Sequence, residues 1–99
     1  MAASKIQQTG SGVSSGIQSV TTTAAVIALG ALAGGVLGRF SIKNLDGTNN
    51  LSVLPDVAGV AFITLLPGEM AQGRFDTGVT APAVVSSATA LMEYIVCEA

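Results

Sequence analysis

The sequence predicts an all-β protein: a small antiparallel β-sandwich of jelly-roll-like form over residues 20–99, preceded by an extended N-terminal arm over residues 1–19. Three observations carry this prediction. Clusters of turn-forming residues recur about every 8–12 residues through the second half of the chain, the spacing of a small sandwich or barrel. The segments between them are short, apolar and rich in β-formers, as in Gly59–Leu66 (GVAFITLL). A length of 99 residues allows one domain with one two-layer core.

The arm, Met1–Ser19 (MAASKIQQTGSGVSSGIQS), carries Lys5 as its only side-chain charge and is dominated by Ser, Gly and Gln. Ordering a backbone costs roughly 1–2 kcal/mol per residue, and this composition buries too little apolar area to offset it alone. The arm is therefore expected to extend away from the sandwich and contact another subunit. Ile6, Val13 and Ile17 are too sparse for a helical or strand face, so they are the expected partner contacts, acting as isolated pegs. The segment lacks the basic-then-apolar layout of a secretory signal.

Thr21–Phe40 (TTTAAVIALGALAGGVLGRF) admits two readings. As a membrane helix it offers about 18 uncharged residues before Arg39, near the minimum for a span of roughly 30 Å. Gly30 and Gly34 would suit close helix packing. Glycines at 30, 34, 35 and 38, a three-threonine opening and the lack of an anchor at its first end favour strands. The preferred reading is a strand near residues 20–29, a loop over 30–35 and a strand near 36–43.

The remainder reads as β throughout. Asn44–Asn50 (NLDGTNN) is dense in turn formers, and Asp46-Gly47 predicts a two-residue hairpin with Gly47 at positive φ. A short strand over 51–54 stops at Pro55-Asp56. Residues 59–66 read as a strand buried on both faces. Pro67-Gly68 has the pattern of a type II turn, with Gly68 at positive φ. Strands near 70–75 and 89–97 follow, with Ala81–Val85 a strand broken around Pro82. Phe40, Ile42, Phe62, Leu65, Phe75 and Tyr94 are the expected centre of the core.

Composition excludes much chemistry. Apolar residues make up 49% of the chain and charged residues only 10%, whereas soluble domains carry about a quarter charged residues. Such a surface is expected to be partly covered by partners or a membrane. With no His and no Trp, imidazole catalysis and His metal sites fall away. One cysteine, Cys97, is expected to be packed rather than reactive. Four basic residues against six acidic ones make no patch for nucleic acid. Asp46, Asp56, Glu69 and Asp76 fall in turns, where carboxylates usually bond local backbone. Asn44, Asp46, Thr48 and Asn50 alternate as calcium-loop donors do, but only one is charged and no closing Glu follows at the required distance. GALAGG lacks the Lys-Ser/Thr of a phosphate loop. No catalytic residue, cofactor, metal or small-molecule substrate is expected, and no enzyme activity. A carbohydrate-binding β module would need an aromatic platform that the chain lacks.

Phe40–Asn50 (FSIKNLDGTNN) resembles a segment of small structural proteins of tailed bacteriophages. Leu65-Leu66-Pro67-Gly68-Glu69 is similar to an apolar strand leading into Pro-Gly-Glu in that family, and Arg74 follows as it does there. The closing Leu91, Glu93, Tyr94 and Ile95 and the earlier Leu29-Gly30 complete the likeness, which covers about residues 24–98. The resemblance implies a compact β-sandwich without enzymatic activity, located in the virion. Its leading form is a capsid decoration or cement protein, homo-oligomeric with a trimer as one candidate state, resting on the major capsid protein or another virion protein. The alternative within the virion is a tail, connector or head-fibre base component. The alternative from a different class is a small membrane-inserted coat or pore subunit spanning with Thr21–Gly38.

Overall fold

Period-two alternation decides where the core lies. In Ala90–Glu98 the side chains of Ala90, Met92, Tyr94 and Val96 are buried, while Leu91, Glu93 and Ile95 are exposed, as a strand with one covered face requires. The computed structural model describes residues 12–99 and contains eight strands. These are β1 (Val13–Val20), β2 (Ala25–Val26), β3 (Leu37–Asn44), β4 (Leu51–Leu54), β5 (Ile63–Leu65), β6 (Met70–Arg74), β7 (Ala83–Ser86) and β8 (Ala90–Glu98). They form two four-stranded antiparallel sheets of order β1-β8-β3-β6 and β2-β7-β4-β5.

The first strand pairs with the last, the second with the seventh, the third with the sixth and the fourth with the fifth. Contacts of β3 with β8 and of β4 with β7 then complete each sheet. The chain is one long antiparallel ribbon doubled at its middle and wrapped around a core, the arrangement of a jelly roll. The core between the sheets contains Ile42, Met92 and Val96 from the first sheet and Leu51, Val53 and Val84 from the second, all fully buried. Phe40 and Phe75 stack with ring centroids 4.5 Å apart. Gly73 makes room for that stack, because a Cβ there would meet the Phe40 ring at 3.2 Å.

One buried polar residue ties the sheets together at a corner. Asn44, at the end of β3, has no exposed surface. Its Nδ2 donates to the Asn49 carbonyl at 2.7 Å and to the Leu65 carbonyl of β5 at 3.2 Å. Its Oδ1 accepts from the Asp46 amide at 3.0 Å. Its backbone N–H donates to the Glu69 carbonyl, and its carbonyl accepts from the Gly68 amide. The turn Leu66–Glu69 places Gly68 at φ 81°, and the Glu69 amide donates back to the Leu66 carbonyl, as the type II pattern of Pro67-Gly68 predicts.

At the opposite side β1 is locked to the second sheet by side chains. The Gln18 amide donates to the Val26 carbonyl at 3.1 Å and accepts from the Ala28 amide at 2.8 Å. One glutamine thus makes the two bonds that a neighbouring strand would make. Ser14 Oγ donates to the Ala28 carbonyl at 2.7 Å.

Several expectations need correction. Residues 13–19, assigned to the arm, belong to β1, which pairs with β8 from Val13↔Cys97 to Val20↔Ala90. The arm reading considered only what the segment buries by itself; β8 supplies a full ladder, and Ser14 and Gln18 have partners across the sandwich. Ile6 and the rest of residues 1–11 lie outside the described residues. The strand expected over 20–29 shrinks to Ala25–Val26, because Thr21 bonds locally to Thr23 and Gly30–Leu32 forms a 3-10 turn. Among the described residues no helix is long and apolar enough to cross a membrane, so Thr21–Gly38 is not the membrane helix of the alternative reading. Asp46-Gly47 makes no two-residue hairpin, and Gly47 is not among the positive-φ glycines, because Leu45–Asn50 carries the chain from one sheet to the other. The run 59–66 is a strand only over Ile63–Leu65, at a sheet edge. Phe62 therefore sits at the rim, 47% exposed, edge-on to both Phe40 and Phe75, rather than in the core. Phe40, Ile42, Leu65, Phe75 and Tyr94 are buried as expected.

Two stability measurements follow from this packing. Phe75→Ala should cost about 3–5 kcal/mol in urea unfolding, the range for a buried aromatic, and Phe62→Ala clearly less. Asn44→Ala should cost about 2–4 kcal/mol, since it strips partners from buried backbone groups of two loops and a strand. A cost below about 1 kcal/mol for Asn44→Ala would remove its role as the corner tie.

Candidate functional site

The outer face of the first sheet is the feature that globular packing leaves unexplained. Strand register places its outward side chains in rows. One row reads Ile17, Glu93, Lys43, Met70 across β1, β8, β3 and β6. The next reads Ser15, Ile95, Ser41, Gln72 in the same order. Val13 stands opposite Cys97, and Ser19 opposite Leu91. Val13, Ile17, Met70, Leu91 and Ile95 are all large, apolar and exposed, with Ile17 at 62%. Isolated apolar residues are ordinary on a surface; here Val13, Ile17, Leu91 and Ile95 lie together on β1 and β8, with Met70 on the same face across Glu93 and Lys43.

A register shift between Leu37 and Phe40 ends the regular ladder near Arg39, which stands directly opposite Arg74 on β6. Like charges opposite one another on neighbouring strands are destabilising. The two arginines flank a shallow groove of about 530 Å³, lined also by Ser41, Gln72, Ile95 and Cys97. Cys97, expected to be packed, is only partly buried on this face.

A second exposed apolar region lies on the β4–β5 connection. Val57 and Val60 project from it, Val60 with 86% of its surface free, and Leu66 is exposed just beyond β5. Behind them a cleft of about 210 Å³ opens between Pro55, Val60, Phe62, Phe75 and Val79.

Of the expected partner contacts, Val13 and Ile17 both fall on the outer face of the first sheet, as members of a strand rather than pegs on a free arm. Ile6 is outside the described residues. Sequence reasoning missed the contributions of Met70, Leu91 and Ile95 to the same patch. The alternation of β8 held that signal, since Leu91 and Ile95 share one face with Glu93 and oppose Met92 and Tyr94.

The oxygen-rich loop after β3 is used by the fold. Asp46 Oδ2 accepts from the amides of Thr48 at 2.9 Å and Asn49 at 2.6 Å. Those two backbone bonds, the Asn49 one first, hold the Asp46 carboxyl below its ordinary value of 3.8. Asp56 Oδ1, Glu69 Oε1 and Glu98 Oε1 likewise accept from the amides of Ala58, Leu66 and Gly12. Among the described residues no group of three or more Cys, Asp or Glu side chains is placed to hold a metal ion.

No family model matches the chain, and no curated protein or solved structure matches it.

The Asp46 geometry has a pH signature. A carboxyl whose folded-state value is depressed stabilises fully above its unfolded value and loses that contribution as pH falls through the lower, folded one. Asp46→Asn should therefore be less stable than the parent in urea at pH 7, and the gap should narrow on acidification below pH 3.8. A gap constant from pH 7 to pH 2 would contradict the assignment of the stabilising charge.

Proposed function

We propose that the chain is a non-enzymatic structural protein of a tailed-phage virion, a capsid decoration or cement protein that binds the major capsid protein and further copies of itself. The observation that carries the assembly role is the exposed apolar face of the first sheet, with Val13, Ile17, Met70, Leu91 and Ile95 on one surface. A protein with 10% charged residues gains solubility by covering such a face in repeated contacts. The apolar β4–β5 connection supplies a separate surface, so the protein has one region for its own copies and another for a different chain.

The virion setting rests on the resemblance of FSIKNLDGTNN, LLPGE and the closing Leu-x-Glu-Tyr-Ile segment to tailed-phage structural proteins. The first two segments meet at Asn44, so the residues shared with that family are the ones that build the corner. Jelly rolls occur in viral capsid domains and also in lectins and cupins, so the fold is compatible with this role without selecting it. The titratable side chains support a structural reading, because Asp46, Asp56, Glu69 and Glu98 bond local or neighbouring backbone.

Purified particles of the phage encoding this chain test the reading. Quantitative mass spectrometry should find the protein in a fixed ratio to the major capsid protein, and electron cryo-microscopy should place its density on the shell exterior. Its absence from particles would overturn the virion assignment, and density confined to the tail would replace decoration by a tail role.

A further inference from the structure

The first sheet's outer face is self-complementary in a way that its apolar content alone does not require. The row Ile17, Glu93, Lys43, Met70 reads apolar, acidic, basic, apolar across four adjacent strands. Read in reverse it is apolar, basic, acidic, apolar. Consider a two-fold axis lying in the face, parallel to the strands and midway between β8 and β3. It keeps every row at its own level and reverses its order. Glu93 of each copy then faces Lys43 of the other, twice, and Ile17 of each faces Met70 of the other, twice. In the adjoining row Ile95 lies over Ser41 and Ser15 over Gln72. No like charges meet in either row. A two-fold axis in the face but perpendicular to the strands keeps each side chain on its own strand and moves its level instead. With that axis at the Ile95 row, Lys43 comes over Arg39 of the other copy, a repulsive juxtaposition.

We propose that two copies of this chain pair face to face through the outer surface of the β1-β8-β3-β6 sheet, in an isologous dimer whose axis runs between β8 and β3. Sheets that stack face to face keep their strands nearly aligned and about 10 Å apart, which an axis parallel to the strands provides. Counted flat, four strands at about 4.8 Å spacing and a rise of about 3.4 Å per residue make a face of about 19 × 27 Å, less one corner where β6 has five residues against eight or nine in the other three strands. Two such faces together reach about 1,000 Å², the lower bound for a specific interface. Arg39 and Arg74 stand at one end of the face, at the rim, while the groove beside them reaches inward to Ser41, Gln72 and Ile95, which the second copy covers.

The inference rests on the reading of this face as an assembly surface and names its occupant. A monomer that binds particles would overturn the dimer and leave the virion role standing; a dimer absent from particles would do the reverse.

Sedimentation equilibrium on the full chain should show a reversible monomer–dimer equilibrium. Lys43→Glu and Glu93→Lys should each weaken the dimer about tenfold or more, because each places like charges face to face twice. The double variant K43E/E93K should recover dimerisation, since reversing both members keeps the row self-complementary. Register is tested by crosslinking I17C/M70C in a C97S background with a short bifunctional thiol reagent, because sheets about 10 Å apart hold facing Cα atoms too far apart for a direct disulfide. Within one chain these positions lie at opposite edges of the sheet, three strand spacings or about 14 Å apart, beyond the reach of such a reagent. Across the proposed axis they face each other, so the reagent should give a covalent dimer. If the charge variants fold poorly by circular dichroism, Ile17→Ser and Ile95→Ser, at exposed positions, should weaken the dimer in their place. A strictly monomeric parent up to millimolar concentration, a trimer, insensitivity to all of these changes, or no crosslink from I17C/M70C would each overturn the proposal.

Discussion

Asn44 is the constraint on which the corner of the fold depends. A ribbon that wraps around a core must carry the chain from one sheet to the other, and each crossing leaves backbone groups without ladder partners. At the end of β3 the crossing to β4 and the return from β5 to β6 lie side by side. One side chain serves both, bonding the Asn49 carbonyl of the outgoing loop and the Leu65 carbonyl of the strand that precedes the return. The same residue's backbone is closed by Gly68 and Glu69. An apolar residue at this buried position would leave Leu65, Asn49 and Asp46 groups unpaired, at a cost larger than any gain in apolar burial.

That corner also sets what the outer face displays. Fixing Asn44 fixes the phase of β3, so Phe40 and Ile42 point inward while Ser41 and Lys43 point outward. The pairing of Lys43 with Glu93 on one side and Met70 on the other then follows from register. A slip of one residue would turn Ile42 outward and bury Lys43. Fold and surface are therefore specified by one decision, and the charge order across the face is a consequence of the core.

The opposite edge shows how a weakly apolar strand is retained. Only Val20 of β1 is buried, yet the strand spans eight residues. Its inward polar side chains reach Val26 and Ala28 and replace a strand-to-strand ladder where β2 is too short to provide one. Hydrophobic burial contributes little to this seam; hydrogen-bond satisfaction and the ladder to β8 hold it together.

The all-β class, the ends of β3, β4, β6 and β8 to within a residue, the turn at Pro67-Gly68 and five of the six expected core residues were legible in the sequence alone. These are local properties: strand period, turn chemistry and the φ that glycine permits. Tertiary structure decided the rest. Pairing with β8 turned Val13–Ser19 from an arm into a strand, because a distant partner offset an ordering cost that the segment could not offset alone. The position of β5 at a sheet edge left Val60 and Phe62 exposed, although GVAFITLL reads as a buried strand. The face was half legible: Val13 and Ile17 stood out as apolar residues in a polar segment, whereas Met70, Leu91 and Ile95 join them only once β6, β3 and β8 lie side by side. Local pattern records which side of a strand is apolar; only the register between strands records which side chains of distant segments share a surface.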